Sequence, residues 1–446
     1  MNKKKLIPIL IILISAISVF YMIDSRSSYD DVYKQYIQAA RNAAEEGILV
    51  DAEANYQKAL EQNPSIDLVI EMGDMYLKLG EPSDAYYWYE RQIKDSYPTE
   101  PDAYAFGMKA AIACNRVENA FQIYDAMQKR KLVSEEADKQ RSLIEYSFTL
   151  TERFQDAGPF GNMSGLAAVK TEDKWGFINK NGETKVHASF KKVGLMSEIS
   201  PVIDENNEPF FIDKNGNRKI NASFFEEKDS SFGKITEFLG TGEGRTLASN
   251  GSSVAFFDLE SGNRLPGDYQ NATISSKGVF GATKDGSTWA LVNLDGTELT
   301  DYKYQEILVD LKGNPYRANA LIVKDNDMYC LINENGNPIS NEKYSKAYAF
   351  NDNGPAAVKK GDKWIFVEEN GQEKDLGEFQ EARSFSDGLA AVELNNKWGY
   401  INLDGEVVIE PQFWNAQPLS SFGVGFVETD RGVWRLLRLT SQNHEE

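Results

Sequence analysis

The chain has 446 residues, of which 41% are hydrophobic and 12% aromatic, and it carries a formal net charge of −20. This composition is typical of a folded protein with two or three domains and argues against a largely disordered chain. Such a negative charge, with no basic stripe, repels nucleic acid, so we expect no nucleic-acid partner. The two cysteines, Cys114 and Cys330, lie far apart in the sequence, which argues against a disulfide framework.

The N-terminus predicts a membrane anchor. Three lysines at residues 3–5 precede an uncharged apolar run over residues 6–23, which at about 1.5 Å per residue is long enough to span a bilayer. Lysines before the run and aspartates after it favour an N-terminus inside the cell and export of the rest. A cleaved signal peptide is the alternative, because Ala16 and Ser18 have the small side chains that a peptidase requires. The apolar run continues past Ser18, which favours the uncleaved anchor. We therefore predict a single-pass protein of the cell membrane whose bulk is extracytoplasmic.

Residues 24–150 show helical periodicity and an internal repeat of 33 to 35 residues. The pattern resembles the tetratricopeptide repeat, in which small residues lie where two antiparallel helices cross. This resemblance implies about three helical hairpins, with a further helix over residues 134–150 that caps the stack. The recurring small and aromatic residues are Ala52 and Tyr56, Ala85 and Tyr89, and Ala120 and Tyr124.

The same resemblance implies a binding groove. In that family the first helices of the hairpins line a concave surface that takes a peptide or a partner helix. Carried onto this chain, the groove would include Asp74, Tyr104 and Met108, which are our candidate partner-binding residues. For each of them an ordinary solvated or packing role is the alternative, and three repeats can also serve only as a stalk.

After Thr151 the helical pattern stops, and short apolar runs separated by turn signals follow. Glycines preceded by Asn, Asp or Ser recur at spacings of 34, 46, 34, 40, 35 and 34 residues, which indicates a repeat with two insertions. Asn-Gly and Asp-Gly favour a type I′ turn, so we expect a hairpin in each unit. The turn glycines are Gly182, Gly216, Gly262, Gly296, Gly336, Gly371 and Gly405.

Aromatic and small residues form two columns in these repeats. Successive strand residues point to opposite faces, so Trp398 and Tyr400 share one face of the sheet and Gly399 and Ile401 share the other. Both faces are apolar, which predicts a sheet covered on both sides. We expect the indole of one unit to lie over the glycine of its neighbour. The columns, to which we assign a structural role, contain Trp175, Trp289, Trp364 and Trp398, with Gly176 and Gly399 in the best copies.

Lys-Trp-Gly followed by an aromatic residue, Ile, Asn and a turn glycine, with Gly-Leu-Ala-Ala-Val before it, resembles the bacterial WG-repeat (KWG) family over residues 154–440. The resemblance implies an all-β repeat domain on an exported or surface protein, with no established catalytic residues. Eight opening aromatics, from Phe154 to Phe413, predict seven complete units and a remnant. We predict a β-propeller of seven or eight units closed by its terminal strands. An open β-solenoid is the alternative, because about 35 residues is short for a four-stranded blade.

The sequence predicts neither catalysis nor a cofactor. There is no G-x-S-x-G elbow, and His187 is the one histidine within the repeats, so nucleophile systems lack partners. Zinc and calcium ligand sets are incomplete, so we expect no metal. The glycine-rich residues 240–245 follow no strand–helix unit, and we assign them to an insertion loop of the third repeat.

We therefore predict a multidomain protein with a cytoplasmic tail and anchor (1–23), a helical repeat domain (24–150) and a WG-repeat β domain (154–440). Its predicted function is non-catalytic binding of other envelope proteins or peptides, and residues 6–23 would contact the lipid bilayer. The alternative is a surface protein that binds cell-wall glycan or another carbohydrate. That alternative requires exposed aromatic side chains outside the repeat columns, for which the candidates are Trp88, Trp414 and Trp434.

Overall fold

The computed structural model describes residues 31–315, 320–351 and 354–443. These residues form two compact units, and the chain passes from the first to the second between Ser147 and Phe148. The predicted anchor, residues 6–23, lies outside the described part of the chain. Within the described part, no helix combines the length and the apolar character needed to cross a membrane.

The first unit is helical. Ser65 and Ser134 are the N-caps of the helices Ile66–Lys78 and Glu135–Leu143, because their hydroxyl oxygens accept hydrogen bonds from the backbone N–H groups of Leu68 and Ala137. The helix Pro82–Trp88 continues into a short π-helical segment, Tyr89–Ile93. In chain order the helices are α1 (31–45), α2 (Leu49–Gln62), α3 (Ile66–Lys78), α4 (Pro82–Trp88), α5 (Pro101–Ala113), α6 (Val117–Lys129) and α7 (Glu135–Leu143).

Small residues bring these helices together, as the repeat pattern predicts. A Cβ atom at Gly73 would lie 2.2 Å from the ring of Phe106, and one at Gly107 would lie 2.4 Å from the ring of Tyr89. The recurring alanines of the pattern, such as Ala52, are fully buried. The paired helices are therefore present, whereas their membership of the tetratricopeptide family stays a prediction.

The second unit consists of eight antiparallel sheets, which we number as blades 1 to 8. The first four blades contain β2 (Asp156–Phe160), β3 (Leu166–Thr171), β4 (Lys174–Asn179) and β5 (Thr184–Phe190); β6 (Lys192–Val193), β7 (Ile199–Ile203), β8 (Pro209–Asp213) and β9 (Arg218–Asn221); β10 (Glu237–Gly242), β11 (Arg245–Ser249) and β12 (Val254–Asp258); and β13 (Asn271–Ala272), β14 (Val279–Thr283) and β15 (Trp289–Asn293).

Blades 5 to 7 continue in the same order, and blade 8 takes its outermost strand from the start of the unit. They contain β16 (Glu306–Ile307), β17 (Leu321–Asp325) and β18 (Met328–Ile332); β19 (Lys346–Ala347), β20 (Ala356–Lys360), β21 (Lys363–Val367) and β22 (Glu373–Phe379); β23 (Glu381–Ala382), β24 (Ala390–Leu394), β25 (Lys397–Ile401) and β26 (Val407–Phe413); and β27 (Asn415–Ala416), β28 (Val424–Asp430), β29 (Val433–Leu439) and β1 (Phe148–Phe154).

Strand β1 closes the ring. It pairs antiparallel with β29, with Phe148 opposite Leu439 and Phe154 opposite Trp434. The unit is therefore an eight-bladed β-propeller, as predicted, and the open solenoid is wrong. The predicted capping helix over residues 134–150 is too long, because α7 ends at Leu143 and Phe148 already belongs to the closing strand.

Short inner strands explain how about 35 residues make a blade. In six of the eight blades the first strand has only two residues. In blades 3 to 5 the fourth strand is reduced to isolated bridges, such as Trp289 with Tyr304. The spacing of 46 residues contains a short helix, α8 (Ala222–Glu226), which the sequence did not predict. The predicted insertion loop at residues 240–245 is instead the hairpin between β10 and β11.

The propeller core lies in layers between successive blades. Phe426 of blade 8, for example, stacks on Phe160 of blade 1 with 5.7 Å between ring centroids and meets Phe154 edge-on at 6.1 Å. Similar buried clusters join blades 1 and 2, 2 and 3, and so on as far as blades 6 and 7. Blades 1 to 6 are thus covered on both faces, as the doubly apolar strands predict.

The hairpin turns differ from the prediction. At Asn179–Glu183 the backbone of Gly182 donates to the carbonyl of Asn179, and only the glycine has a positive φ, +82°. This is a type I turn followed by a glycine bulge, whereas type I′ requires positive φ at both central residues. Type I′ geometry occurs instead between the second and third strands, at Glu172–Asp173 and Asn395–Asn396.

The glycine of the Trp-Gly pair also acts differently from our expectation. A Cβ at Gly399 would lie 2.3 Å from the carbonyl oxygen of Ile409, and one at Gly176 would lie 2.4 Å from that of Val186. Both contacts are to the fourth strand of the same blade, where a register shift brings the backbone inward. The expected contact with a neighbouring indole is therefore wrong: the glycine makes room for backbone within its own blade.

Candidate functional site

A groove on the helical unit is the candidate binding site. It has a volume of about 380 Å³, and residues of α3, α5 and α7, the first helices of successive hairpins, line it. The lining residues are Asp67, Ile70, Glu71, Asp74, Asp102, Ala105, Phe106, Lys109 and Glu136.

The repeat itself builds this groove. On α3 and on α5 the lining residues follow the spacing i, i+3, i+4 and i+7, which is one face of a helix. The two sets are offset by the repeat, since Asp74 and Lys109 lie 35 positions apart. Equivalent positions of successive hairpins therefore stand side by side, and their side chains form one continuous surface.

The floor of the groove is apolar and its rim is acidic. Ile70 of α3 and the almost fully buried Ala105 and Phe106 of α5 form the floor. Five carboxylates and a single lysine make up the rest of the lining, so the electrostatic potential in the groove is negative.

Three of these carboxylates have cationic partners, and the longest of the three contacts joins Glu136 Oε2 to Lys139 Nζ at 4.0 Å. Lys109 Nζ lies 2.8 Å from Asp74 Oδ1. Arg41 binds Glu71 through two nitrogens of its guanidinium group, with Nε 2.5 Å from Oε1 and Nη2 2.9 Å from Oε2. The hydrogen bond from Arg41 lowers the pKa of the Glu71 carboxyl, and Tyr56 donates to the same carboxylate. Glu71 is thereby fixed and charged at neutral pH.

The remaining two carboxylates are available to an incoming ligand. Asp67 and Asp102 are exposed, and neither forms an ion pair within the described residues. Each lies in the first turn of its helix, where the helix dipole favours a negative charge. The groove therefore presents two exposed negative charges, at the same height on adjacent helices, above an apolar floor.

The three predicted partner-binding residues differ in exposure, and only one of them lines the groove. Asp74 lines the groove. Tyr104 is nearly buried and donates its hydroxyl hydrogen to the carbonyl oxygen of Pro98 at 2.9 Å, while Met108 has no exposed surface. These two side chains therefore offer no surface to a partner, because they face the core between helices. Sequence reasoning missed Asp67 and Asp102, which the 35-residue period relates.

The predicted core tryptophans occupy equivalent strand positions but differ in burial. Trp364 and Trp398 are buried, whereas Trp175 and Trp289 are half-buried. The described part of the chain contains no group of three or more His, Cys, Asp or Glu side chains arranged to hold a metal ion.

Comparison with solved structures gives distant likenesses to two bacterial proteins. BamB from Moraxella catarrhalis shares 9% identity over 65% of this chain and 99% of its own, with a TM-score of 0.40. PorZ of Porphyromonas gingivalis, a surface component of the type-IX secretion system, shares 10% identity over 63% of this chain and 42% of its own, with a TM-score of 0.35. At these scores neither likeness informs function. No curated protein matches the sequence significantly.

Family comparison identifies the repeats. The WG containing repeat matches residues 152–175, 175–198, 329–364, 377–398 and 398–434. The matches fall on blades 1, 2, 5, 6, 7 and 8, and they leave residues 199–328 and the helical unit unmatched. The five matched stretches are thus WG containing repeats, as the Lys-Trp-Gly pattern predicts.

Proposed function

We propose that this chain is a non-catalytic scaffold that binds a basic, amphipathic segment of another envelope protein in the groove of its helical unit. One observation supports the proposal above the others: an apolar floor lies beneath a rim of five carboxylates and one lysine. An amphipathic helix buries its apolar face in such a groove, and its anchoring side chains recur at positions i, i+3, i+4 and i+7. Lysine or arginine side chains beside those anchors would meet Asp67 and Asp102.

Electrostatics gives this groove selectivity. Charge complementarity accelerates encounter and disfavours partners of like charge, while the buried apolar contacts supply most of the affinity. An acidic segment would be repelled by the groove and by the net charge of −20 on the whole chain. The partner is therefore expected to be basic on the face that flanks its apolar stripe.

We further propose that residues 6–23 anchor the chain in the cell membrane, with both units outside the cytoplasm. The apolar run and its flanking charges support this topology. Anchoring would hold the groove near other membrane proteins and raise its effective concentration for them. Alkaline carbonate extraction of membranes tests the anchor. We expect the full chain to stay with the membrane and a chain that starts at Asp24 to be released; release of both would contradict the anchor.

A matched pair of peptides tests the binding proposal. Fluorescence anisotropy would compare a short amphipathic peptide of leucine and lysine with its leucine–glutamate counterpart, each titrated with the full chain. We expect the basic peptide alone to bind, and its affinity to fall as salt is added, because the charges are exposed. Equal binding of both peptides, or of neither, would contradict the proposal.

Charge-reversal variants locate the binding site. Asp67→Lys and Asp102→Lys together should weaken the basic peptide by about tenfold or more. Glu118→Lys is the matched control, because Glu118 also lies in the first turn of a helix, α6, but does not line the groove. An equal loss of affinity in the control would show that overall charge, and not the groove, is responsible.

The alternative function, carbohydrate binding, depends on exposed aromatic side chains. Trp88 is half-buried and donates its indole N–H to the carbonyl of Val69 at 2.8 Å, which indicates a structural role. Trp414 is 41% exposed, but Lys397 and Arg431 lie over its ring. Trp434, the third candidate, lines a cavity of the propeller.

A further inference from the structure

The propeller contains a cavity of about 350 Å³ that the helical groove does not involve. This volume is at the lower end of the range for small-ligand sites, about 300 to 1,000 Å³. Its wall comes from the segments that follow β16, β19 and β23, from β27 and the segment after it, and from Trp434. The lining residues are Val309, Asp310, Leu311, Tyr348, Ala349, Asn351, Arg383, Ser384, Asn415, Ala416, Gln417, Pro418 and Trp434.

One wall comes from an insertion. The repeat spacing of 40 residues places extra chain between β16 and β17, and residues 310–314 form a tight turn there, in which Asp310 Oδ1 accepts the backbone N–H groups of Lys312 and Asn314. Lys312 reaches across the ring to Asn162 of blade 1, with Nζ 2.7 Å from Oδ1. The apolar side chains of Val309 and Leu311 line the cavity and are 40% and 48% exposed. The insertion thus covers part of the ring of blades next to the cavity.

Flat side chains make up another part of the wall. Tyr348 stacks on Trp364 of the same blade at 5.2 Å, with an angle of 23° between the rings. The guanidinium group of Arg383 lies over the Tyr348 ring at 4.6 Å and over the Trp398 ring at 4.8 Å. Trp364 and Trp398 therefore fix Tyr348 and Arg383, and these two side chains line the cavity already oriented.

The charges in the cavity wall are compensated. Arg383 Nη1 lies 3.0 Å from Glu381 Oε1 and also contacts the Tyr348 hydroxyl. The carboxylate of Asp310 is held by the backbone of its own turn. A charged ligand would thus gain no unopposed partner, which favours a neutral one.

The amides of blade 8 supply both kinds of hydrogen-bonding group. Asn415 uses its side-chain oxygen to accept the N–H of Ala416, which leaves its NH₂ group as the donor. Gln417 uses its NH₂ group to donate to the carbonyl of Ala157, which leaves its oxygen as an acceptor. Trp434 also lines the cavity. A lining with a donor, an acceptor and an aromatic residue matches a molecule with hydroxyl groups around an apolar face.

We propose that this cavity binds a neutral saccharide of one or two residues. The sugar would place its apolar C–H face against Trp434 and the Val309 wall, and its hydroxyl groups would bond to Asn415, Gln417 and Arg383. The proposal is independent of the helical groove, since it concerns a different unit and a different ligand.

Calorimetric titration of the full chain tests this site. The protein is kept in a detergent without a sugar headgroup, and the probes are glucose, N-acetylglucosamine, cellobiose and N,N′-diacetylchitobiose, with glucuronate as an anionic comparison. We expect at least one neutral sugar to bind with a Kd below about 10 mM, more tightly than glucuronate. Binding of glucuronate alone, or of none of these probes, would overturn the proposal.

Three variants locate the binding. Val309→Trp should fill the cavity from its exposed side and weaken sugar binding by about tenfold or more. Leu311→Trp does the same from the neighbouring position, so two blocking variants guard against misfolding of one. Trp414→Ala is the matched control, because Trp414 is an exposed tryptophan outside the cavity. Unchanged affinity in both correctly folded blocking variants, or loss of binding in the control, would contradict the assignment.

Discussion

The two units solve the same problem, burying the apolar faces of repeats, in different ways. The helical unit has one continuous core, and its first helices leave a groove exposed. The propeller distributes its core between successive blades and joins the last blade to the first through β1. An open stack can lose an end and keep its remaining contacts, whereas a ring depends on its closure. The helical unit therefore leaves a groove exposed along its first helices, whereas the propeller buries the faces of its blades against one another.

We expect the largest loss of stability from a substitution at the contact that closes the propeller. Phe426 of blade 8 is fully buried and packs on Phe154 of the closing strand and on Phe160 of blade 1. Phe426→Ala should destabilise the propeller by about 3–5 kcal/mol, because a cavity replaces a large ring. Differential scanning calorimetry should show a lower propeller transition and an unchanged helical transition. Equal shifts of both transitions would mean that the two units do not unfold independently.

The second-largest effect is expected from glycine substitutions, which should destabilise the two units by different amounts. Gly399→Ala brings a methyl group 2.3 Å from the backbone oxygen of Ile409, which cannot rotate away, so we expect a loss of about 3 kcal/mol. Gly73→Ala meets the ring of Phe106 instead, and alanine is the better helix former, so the net loss should be about 1 kcal/mol. Urea unfolding measures both. A larger loss for Gly73→Ala would contradict the backbone role of the WG glycine.

Left-handed turns offer a smaller test. Asn396 has a φ of +61° in a strand turn, and Asn115 has a φ of +57° after α5. Asn→Ala at either position should cost about 1 kcal/mol, because alanine is strained in this region, and Asn→Gly should cost less. Thermal melting of the four variants checks the order. Equal melting temperatures for the alanine and glycine variants would remove backbone strain as the cause.

Acid should destabilise the propeller through its turn carboxylates. Backbone N–H groups bond to the turn carboxylates of the propeller and lower their pKa values; these carboxylates are Asp213, Asp258, Asp285 and Asp295. A carboxyl whose pKa is lower in the folded state adds stability above its unfolded pKa, and this stability is lost as the pH falls through the folded pKa. The propeller should therefore lose stability progressively below about pH 4.

The repeat provides its own control for this acid effect. Asn179, Asn333 and Asn402 occupy the same turn position with a neutral side chain. Asp213→Asn should keep the turn hydrogen bonds and reduce the fall in propeller melting temperature between pH 7 and pH 3. An unchanged pH profile would show that these aspartates do not contribute to acid sensitivity.

The repeat period and the hydrophobic pattern predicted the architecture, but they did not predict the local backbone geometry of the turns. The repeat spacing and the eight opening aromatics predicted the blades, and Phe154 marked the place where closure occurs. The type of the glycine turns was predicted wrongly, because Asn-Gly also fits a type I turn with a bulge, and the register shift that makes the bulge depends on the next strand. Asn395–Asn396, a true type I′ turn, has no glycine to signal it.

The candidate sites were harder to predict. Asp74 follows from the repeat, but Tyr104 and Met108 lie on the buried side of α5, which the sequence does not distinguish because that helix is apolar on several faces. Asp67 and Asp102 are visible only after the 35-residue offset has been applied to the acidic positions. The propeller cavity depends on three blades and an insertion, so no local pattern could have indicated it.

Site-specific crosslinking tests the central claim, the basic partner in the helical groove, most directly. A photoreactive phenylalanine replaces Ile70 on the groove floor, or exposed Leu239 of the propeller as control, in the full chain. With the leucine–lysine peptide and light, we predict a crosslinked product from position 70 alone, which excess unlabelled basic peptide suppresses and the leucine–glutamate peptide does not. No product at position 70, or equal products at both positions, would contradict the groove as the binding site.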